Sequence, residues 1–333
     1  MRVLIIKTSS MGDVIHTLPA ITDAAARLPN VEFDWVVEEA FAEIPRWHSA
    51  VKAVIPIAIR RWRTSIISRR HWQELCTQVA LIRAHRYDCI IDAQGLIKSA
   101  VLTRLAQGQR CGMDYSSCRE SLAALVYHQQ FQVDSRIHAI ERIRRLFALS
   151  LNYEAPTNNL NYNTGALRWR GSDDAKPYVV FVHSASRPEK LWPTQQWVKL
   201  ALKAGNYGYR VRLLWGNESE RLRAQEIADQ AGRCQVMPRM NLLSIAKLFQ
   251  QSQAVVGVDT GLSHLAAAVG VPAVTLYFQT SPQLVGTRGQ RQYCMSVATQ
   301  DANAQAISAT ISADHVWDKL MSIVDGNHEI ARK

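Results

Sequence analysis

The chain has few cysteines, six in 333 residues, with no C-x-x-C pair and no zinc-ligand spacing among them, so a metal framework is not expected. We read Cys76, Cys89, Cys111, Cys118, Cys234 and Cys294 as reduced, structural thiols of a cytoplasmic protein. Sixteen glycines and eleven prolines are too few for a collagen-like or disordered chain. Long apolar runs are missing too. The first one, residues 3–6, stops at Lys7, far short of a signal-peptide core. The uncharged run 265–278 falls below the ~20 residues of a membrane span and carries Pro272. Acidic residues are the last shortage: 28 Asp and Glu face 39 Lys and Arg, giving a net charge of +11 and pI near 9.5. An anionic partner is implied.

The length points to two domains, because single cores stop growing near about 250–300 residues. Residues 2–7 (RVLIIK) form a short run rich in β-branched side chains, a polar turn follows at 8–12, and 13–28 is amphipathic: strand, turn, helix. Residues 33–37 and 87–92 read as further strands. A polar, Asn-rich stretch at 152–164, extended by 171–174, reads as a linker. The pattern then restarts with strands at 178–182, 210–215, 254–258 and 272–277, each ending in a loop with Gly, Ser or Asp. This alternation predicts an α/β fold of two Rossmann-like halves, with ligands at the carboxyl ends of the strands and in a cleft between the domains.

Four constellations carry chemistry. In the first, SSMGD at 9–13, Asp13 is either a helix N-cap carboxylate or a base kept ionised by the helix N-terminus. The loop is neither a P-loop nor G-x-G-x-x-G, which disfavours those nucleotide sites. In the second, DTGLSH at 259–264, a buried strand runs into a small-residue helix. Its N-terminus suits a diphosphate, or is a capping turn with His264 on the surface. The third is the loop after residue 182, where Lys190 is a solvated lysine or a point charge for a departing phosphate. Glu220 is likewise a first-turn helix acid or an acceptor of ribose hydroxyls. The fourth is residues 60–86, with seven arginines against the single acid Glu74 and with Trp62 and Trp72 interleaved. This is a solvated basic loop or a dock for an anion, nucleic acid or a lipid interface.

Taken together, residues 2–20 (RVLIIKTSSMGDVIHTLPA), 33–39 (FDWVVEE), 59–63 (IRRWR), 92–95 (DAQG) and 259–264 resemble glycosyltransferase family 9, the bacterial ADP-heptose:lipopolysaccharide heptosyltransferases. The KTSSMGD and IRRWR segments favour the branch that adds the first heptose of the inner core. The resemblance spans nearly the whole chain and implies a GT-B architecture. Its parts would be an acceptor-binding domain at 1–160, a donor-binding domain at 175–311, and a helix in 312–333 crossing back to the first domain.

The resemblance also implies an inverting transfer of L-glycero-D-manno-heptose from ADP-heptose to the first Kdo of Kdo-lipid A, with Asp13 as base. Lys190, Ser186, Asp259, Thr260, Gly261 and His264 match donor positions. Glu220 matches the ribose-contacting acid, and Met240 lies beside the adenine. Ser10, Arg60, Arg61, Arg63, Arg119 and His138 match acceptor positions. Relatives carry two adjacent hydroxyl residues after His183, whereas this chain has Ala185 before Ser186. The expected protein needs no cofactor or protein metal site, although magnesium can stimulate it. It works as a monomer, peripheral on the cytoplasmic face of the inner membrane, without nucleic acid. The competing readings are a GT-B enzyme of other specificity and a basic nucleic-acid-binding protein, which would show a steep salt dependence.

Overall fold

The computed structural model describes residues 1–62, 69–157, 160–167, 177–296 and 311–326. The chain divides into two compact units, Met1–Ala166 and Leu167–Lys333. The division falls between the two polar stretches read as a linker.

Each unit is built on a six-stranded, wholly parallel sheet. The first contains β1 (Arg2–Ile6), β2 (Glu32–Glu38), β3 (Val51–Ile57), β4 (Arg86–Asp92), β5 (Gln107–Met113) and β6 (Gln129–Phe131), in the order β3-β2-β1-β4-β5-β6. The second contains β7 (Tyr178–Val182), β8 (Arg210–Leu213), β9 (Cys234–Val236), β10 (Ala254–Val258), β11 (Ala273–Tyr277) and β12 (Gln292–Ser296), in the order β12-β11-β10-β7-β8-β9. Counted within its own unit, each sheet runs 3-2-1-4-5-6, the doubly wound order of dinucleotide-binding folds. Central strands buried on both faces must be apolar throughout, which is why VLII in β1 and YVVFV in β7 read as unbroken runs. Pro56 sits in β3, an edge strand, where a missing N–H costs no ladder bond to a further strand.

The order reverses between β1 and β4 in the first unit and between β7 and β10 in the second. At such switch points the loops diverge to opposite faces and leave a crevice at the strand ends. The residues expected to carry chemistry after β1, β4, β7 and β10 therefore gather at two equivalent places.

The terminal helix forms as Ala313–Val324 and packs within the second unit. Val316, Trp317, Leu320 and Ile323 are buried in the second unit's own core, with β10, β11 and the helix Thr194–Asn206. Ala313 N–H donates to Gln196 Oε1 at 3.1 Å, and Trp192 Nε1 donates to the Ile311 carbonyl at 3.0 Å. All six cysteines are free thiols.

Candidate functional site

In the first unit, the apolar β1 ends in a polar loop that leads into the helix Met11–Arg27, with Ser10 as N-cap and Asp13 in the first turn. Ser10 donates both its backbone N–H (2.8 Å) and its hydroxyl (3.0 Å) to Asp13 Oδ2. Among the described residues, Asp13 Oδ1 accepts no hydrogen bond. Asp13 thus caps with one oxygen and offers the other. Burial pushes its pKa up, but the Lys7 charge, the two Ser10 donors and Arg119 outweigh it. The carboxyl is held below its ordinary value, so it is ionised at neutral pH.

The loop is held from β4. Beyond that strand Asp92 Oδ1 accepts the N–H groups of Gln94 (2.9 Å) and Gly95 (3.0 Å), and Tyr127 donates to its Oδ2 at 2.8 Å. Gly95 closes this turn at φ +66°, a backbone angle that side chains disfavour. The turn aims Gln94 Oε1 at the β1 loop, where it accepts the N–H groups of Thr8 (3.0 Å) and Ser9 (3.2 Å). Lys7, buried, donates to the Ala93 carbonyl at 2.8 Å. Burial lowers its pKa against the pull of Asp13 and Asp92.

The half-buried Arg142 stands in the same electrostatic neighbourhood as Asp13 and Arg119, and among the described residues its buried Nε has no hydrogen-bond partner. Arg119 is exposed on the loop after β5. His138 is buried as N-cap of the helix Ala139–Leu151, its Nδ1 accepting Ile140 N–H at 3.1 Å and its ring 5.6 Å from that of His16. Sequence reasoning assigned no role to Lys7, Gln94 or Arg142. The available signal for Lys7 was a lysine ending a buried strand at a polar turn.

Of the three clustered arginines, Arg63 lies outside the described residues. Arg60 is exposed, with its guanidinium 5.3 Å from the Phe41 ring centroid. Arg61 is not a free cation. It pairs with both Glu39 oxygens at 3.1 Å and with Glu74 at 2.8 Å, which raises its pKa. The lone acid of the 60–86 stretch is therefore engaged by Arg61 and by Trp62 Nε1 at 3.2 Å, joining the helix Ile59–Trp62 to the helix Arg69–Arg83.

In the second unit, β10 runs into Asp259, and Thr260 is N-cap of the helix Gly261–Ala268. Gly257 lets this helix come close, because a Cβ there would collide with the hydroxyl by which Ser263 donates to the Val258 carbonyl. Asp259 Oδ2 accepts from Lys190 Nζ and from the Thr280 hydroxyl, each at 2.6 Å. This draws the loop after β7 and the loop after β11 to the helix N-terminus. Thr280 had no sequence signal. His264 is buried in the first half of the helix. Ser186 is exposed on its loop, whereas Ala185 packs against the core, an apolar role for the position where relatives are expected to carry a hydroxyl.

At the helix Glu218–Ala231, Asn217 caps by accepting Glu220 N–H at 3.0 Å, and the Glu220 carboxylate accepts Gly216 N–H at 2.7 Å and Asn217 Nδ2 at 3.0 Å. Met240 is half-buried in the loop between β9 and the helix Leu242–Gln251. In the neighbouring loop after β8, Trp215 Nε1 donates to the Met237 carbonyl at 2.6 Å. Among the described residues, no cluster of three His, Cys, Asp or Glu side chains could hold a metal ion, and no helix is long and apolar enough to cross a membrane.

Comparisons with known proteins bear on both sites. The model of glycosyltransferase family 9 (heptosyltransferase) matches residues 71–312. Lipopolysaccharide heptosyltransferase 1 of Salmonella typhimurium is 47% identical over 312 residues, which cover 92% of this chain and 98% of that protein. The structure of E. coli heptosyltransferase WaaC with ADP superposes with a TM-score of 0.91 at 42% identity, covering 97% of this chain and 100% of that one. The same enzyme with ADP-2-deoxy-2-fluoro heptose gives 0.87 at 42% identity, covering 98% and 100%.

Proposed function

The chain belongs to glycosyltransferase family 9, the heptosyltransferases, and from that premise we propose that it moves L-glycero-D-manno-heptose from ADP-heptose to the first Kdo of Kdo-lipid A, with inversion. The observation that carries this reading is the Asp13 carboxylate, ionised and with one oxygen free of hydrogen bonds among the described residues, set among the cations Lys7, Arg119 and Arg142. A base for an uncharged acceptor would not need three cations around it. A hydroxyl on an acidic sugar does: buried Lys7 keeps Asp13 ionised, and Arg119 and Arg142 suit the acceptor's anionic groups while Asp13 takes the proton.

The acceptor oxygen attacks the anomeric carbon of the heptose, the bond from that carbon to the phosphate oxygen breaks, and the electron pair leaves with ADP. The proton goes to Asp13 Oδ1. Such an in-line displacement inverts the anomeric carbon and needs no glycosyl-enzyme. The leaving diphosphate requires compensation by positive charge. Lys190 has three N–H donors and gives one to Asp259, which leaves two for phosphate oxygens beside the N-terminus of the helix Gly261–Ala268. Glu220, with Gly216 and Asn217 fixing its oxygens, suits ribose hydroxyls, and Met240 with Trp215 suits the adenine.

This chemistry needs no protein-bound metal, because fixed cations and helix N–H groups stabilise the departing charge. In this reading the chain works as a monomer at the anionic inner face of the cytoplasmic membrane and not on nucleic acid, because its arginine-rich stretch lies in the same unit as the proposed base. Incubation with ADP-heptose and Kdo-lipid A, following ADP release and glycolipid mass, tests the reading. One added heptose is expected, and absence of heptose addition overturns it.

A further inference from the structure

Four large aliphatic side chains stand out from the first unit on two neighbouring elements. Ile97 (48% exposed) and Val101 (55%) lie one turn apart on the helix Ile97–Leu105. Leu122 (59%) and Leu125 (75%) lie one turn apart on the 3-10 helix Ser121–Val126. The two elements pack side by side. Their beginnings are joined where Ile97 N–H donates to the Glu120 carboxylate at 2.6 Å. One exposed leucine is ordinary on a protein surface, but four large aliphatics exposed on two packed elements need an explanation.

The surrounding charge is mainly positive. Neither element contains an acidic residue, and Glu120 at their junction is engaged by Ile97 N–H. Lys98 and Arg104 are exposed on the helix, and exposed Arg119 comes just before the 3-10 helix. This face also adjoins the catalytic loop, since Lys98 Nζ lies 3.4 Å from Ser9 Oγ, one residue before the Asp13 cap.

We propose that this face docks on an anionic lipid bilayer, with Ile97, Val101, Leu122 and Leu125 entering the acyl boundary and Lys98 and Arg104 meeting the headgroups. Aliphatic side chains interleaved with cations are the composition of interfacial membrane binding. A second copy of the chain would bring a second set of the same cations against the first. Docking here presents the Asp13 loop to an acceptor that is itself anchored in the lipid. That consequence rests on the heptosyltransferase reading, whereas the docking surface itself does not.

The test is co-sedimentation of the full chain with vesicles of phosphatidylethanolamine and phosphatidylglycerol, and with vesicles of phosphatidylcholine alone. The chain should prefer the first. Leu122→Ser with Leu125→Ser should weaken vesicle binding by roughly tenfold or more and slow transfer to acceptor embedded in vesicles. Transfer to a deacylated, water-soluble acceptor should remain unchanged, which also shows that the variant folds. Leu125→Trp should strengthen binding, and Arg104→Gln should reduce the preference for anionic vesicles. Unchanged vesicle binding in the double variant overturns the docking surface, including the case where that variant only breaks a dimer. If the parent chain binds vesicles through this face but transfers nothing even to soluble acceptor, the transfer reading fails and the docking surface stands.

Discussion

Ser10 gives both of its donors to a single carboxylate oxygen of Asp13, so the residue that caps the first helix is also the one that orients the base. The capping box determines which oxygen faces the acceptor. Lys7 and Arg119 determine its charge, because burial alone would push the carboxyl pKa up.

This balance sets the pH profile. With the Asp13 pKa held below the ordinary carboxylate value, turnover should stay level from neutral pH down into the acid range and fall only as Asp13 protonates. Lys7→Met removes the largest influence opposing burial, so the acid limb of kcat against pH should move to higher pH. Asp13→Ala should abolish turnover while ADP-heptose still binds, as read by calorimetry. An acid limb that stays in place in Lys7→Met would refute the charge argument.

Gln94 is the second hold on the same loop, through the N–H groups of Thr8 and Ser9. Gln94→Ala leaves Asp13 chemically intact but releases its mounting. We expect kcat to drop roughly 10- to 100-fold, with KM for ADP-heptose little changed, since the donor-side groups belong to the second unit. A change confined to donor KM would show that Gln94 acts elsewhere.

What the sequence revealed and what it hid follow one physical division. β1, β4, β7 and β10 were legible because central parallel strands are buried on both faces and must be apolar. β5, QGQRCGM, was not, because its first half is exposed or half-exposed and carries polar side chains. β3, with Pro56 in an edge strand, lacked the pattern for the same kind of reason. In the sites, Asp13 and Asp259 were visible as polar residues just past apolar runs, a strictly local signal. Gln94 meets Thr8 from 86 residues away, and Thr280 meets Asp259 from 21 away, so no local window contains either pair. Counting charges over 60–86 similarly overstated the free cations, since Glu39, which binds Arg61, lies outside that window.

Lys190 is mounted by Asp259 and not left in solvent, which makes a two-step prediction. Lys190→Met should lower kcat by roughly 10²- to 10³-fold, the loss typical of a fixed group that stabilises developing charge. Asp259→Asn keeps a hydrogen-bond acceptor but weakens the hold on the ammonium, so its loss should be smaller and should appear partly in donor KM. Steady-state kinetics with varied ADP-heptose separates the two. An Asp259→Asn defect as large as that of Lys190→Met would assign Asp259 a direct part in the reaction.

His48 should make the first unit sensitive to mild acid. The ring is buried, and its Nδ1 accepts Ala50 N–H at 3.2 Å, which places the proton of the neutral ring on Nε2, 3.0 Å from the Thr22 hydroxyl. That hydroxyl donates in turn to the Leu18 carbonyl at 3.2 Å. Protonating Nδ1 destroys the first of these bonds and charges a buried ring, so burial pulls the His48 pKa down from 6.5 to about 4. Above 6.5 both folded and unfolded chains hold the ring neutral, and the contribution is fully present. Between 6.5 and about 4 only the unfolded chain takes the proton, so stability falls with pH by up to roughly 1.4 kcal/mol per unit. Urea unfolding of the first unit, followed at about pH 7.5 and about pH 4.5, should show this loss, and His48→Gln should flatten it. An equally steep loss in His48→Gln would assign the acid sensitivity to another group.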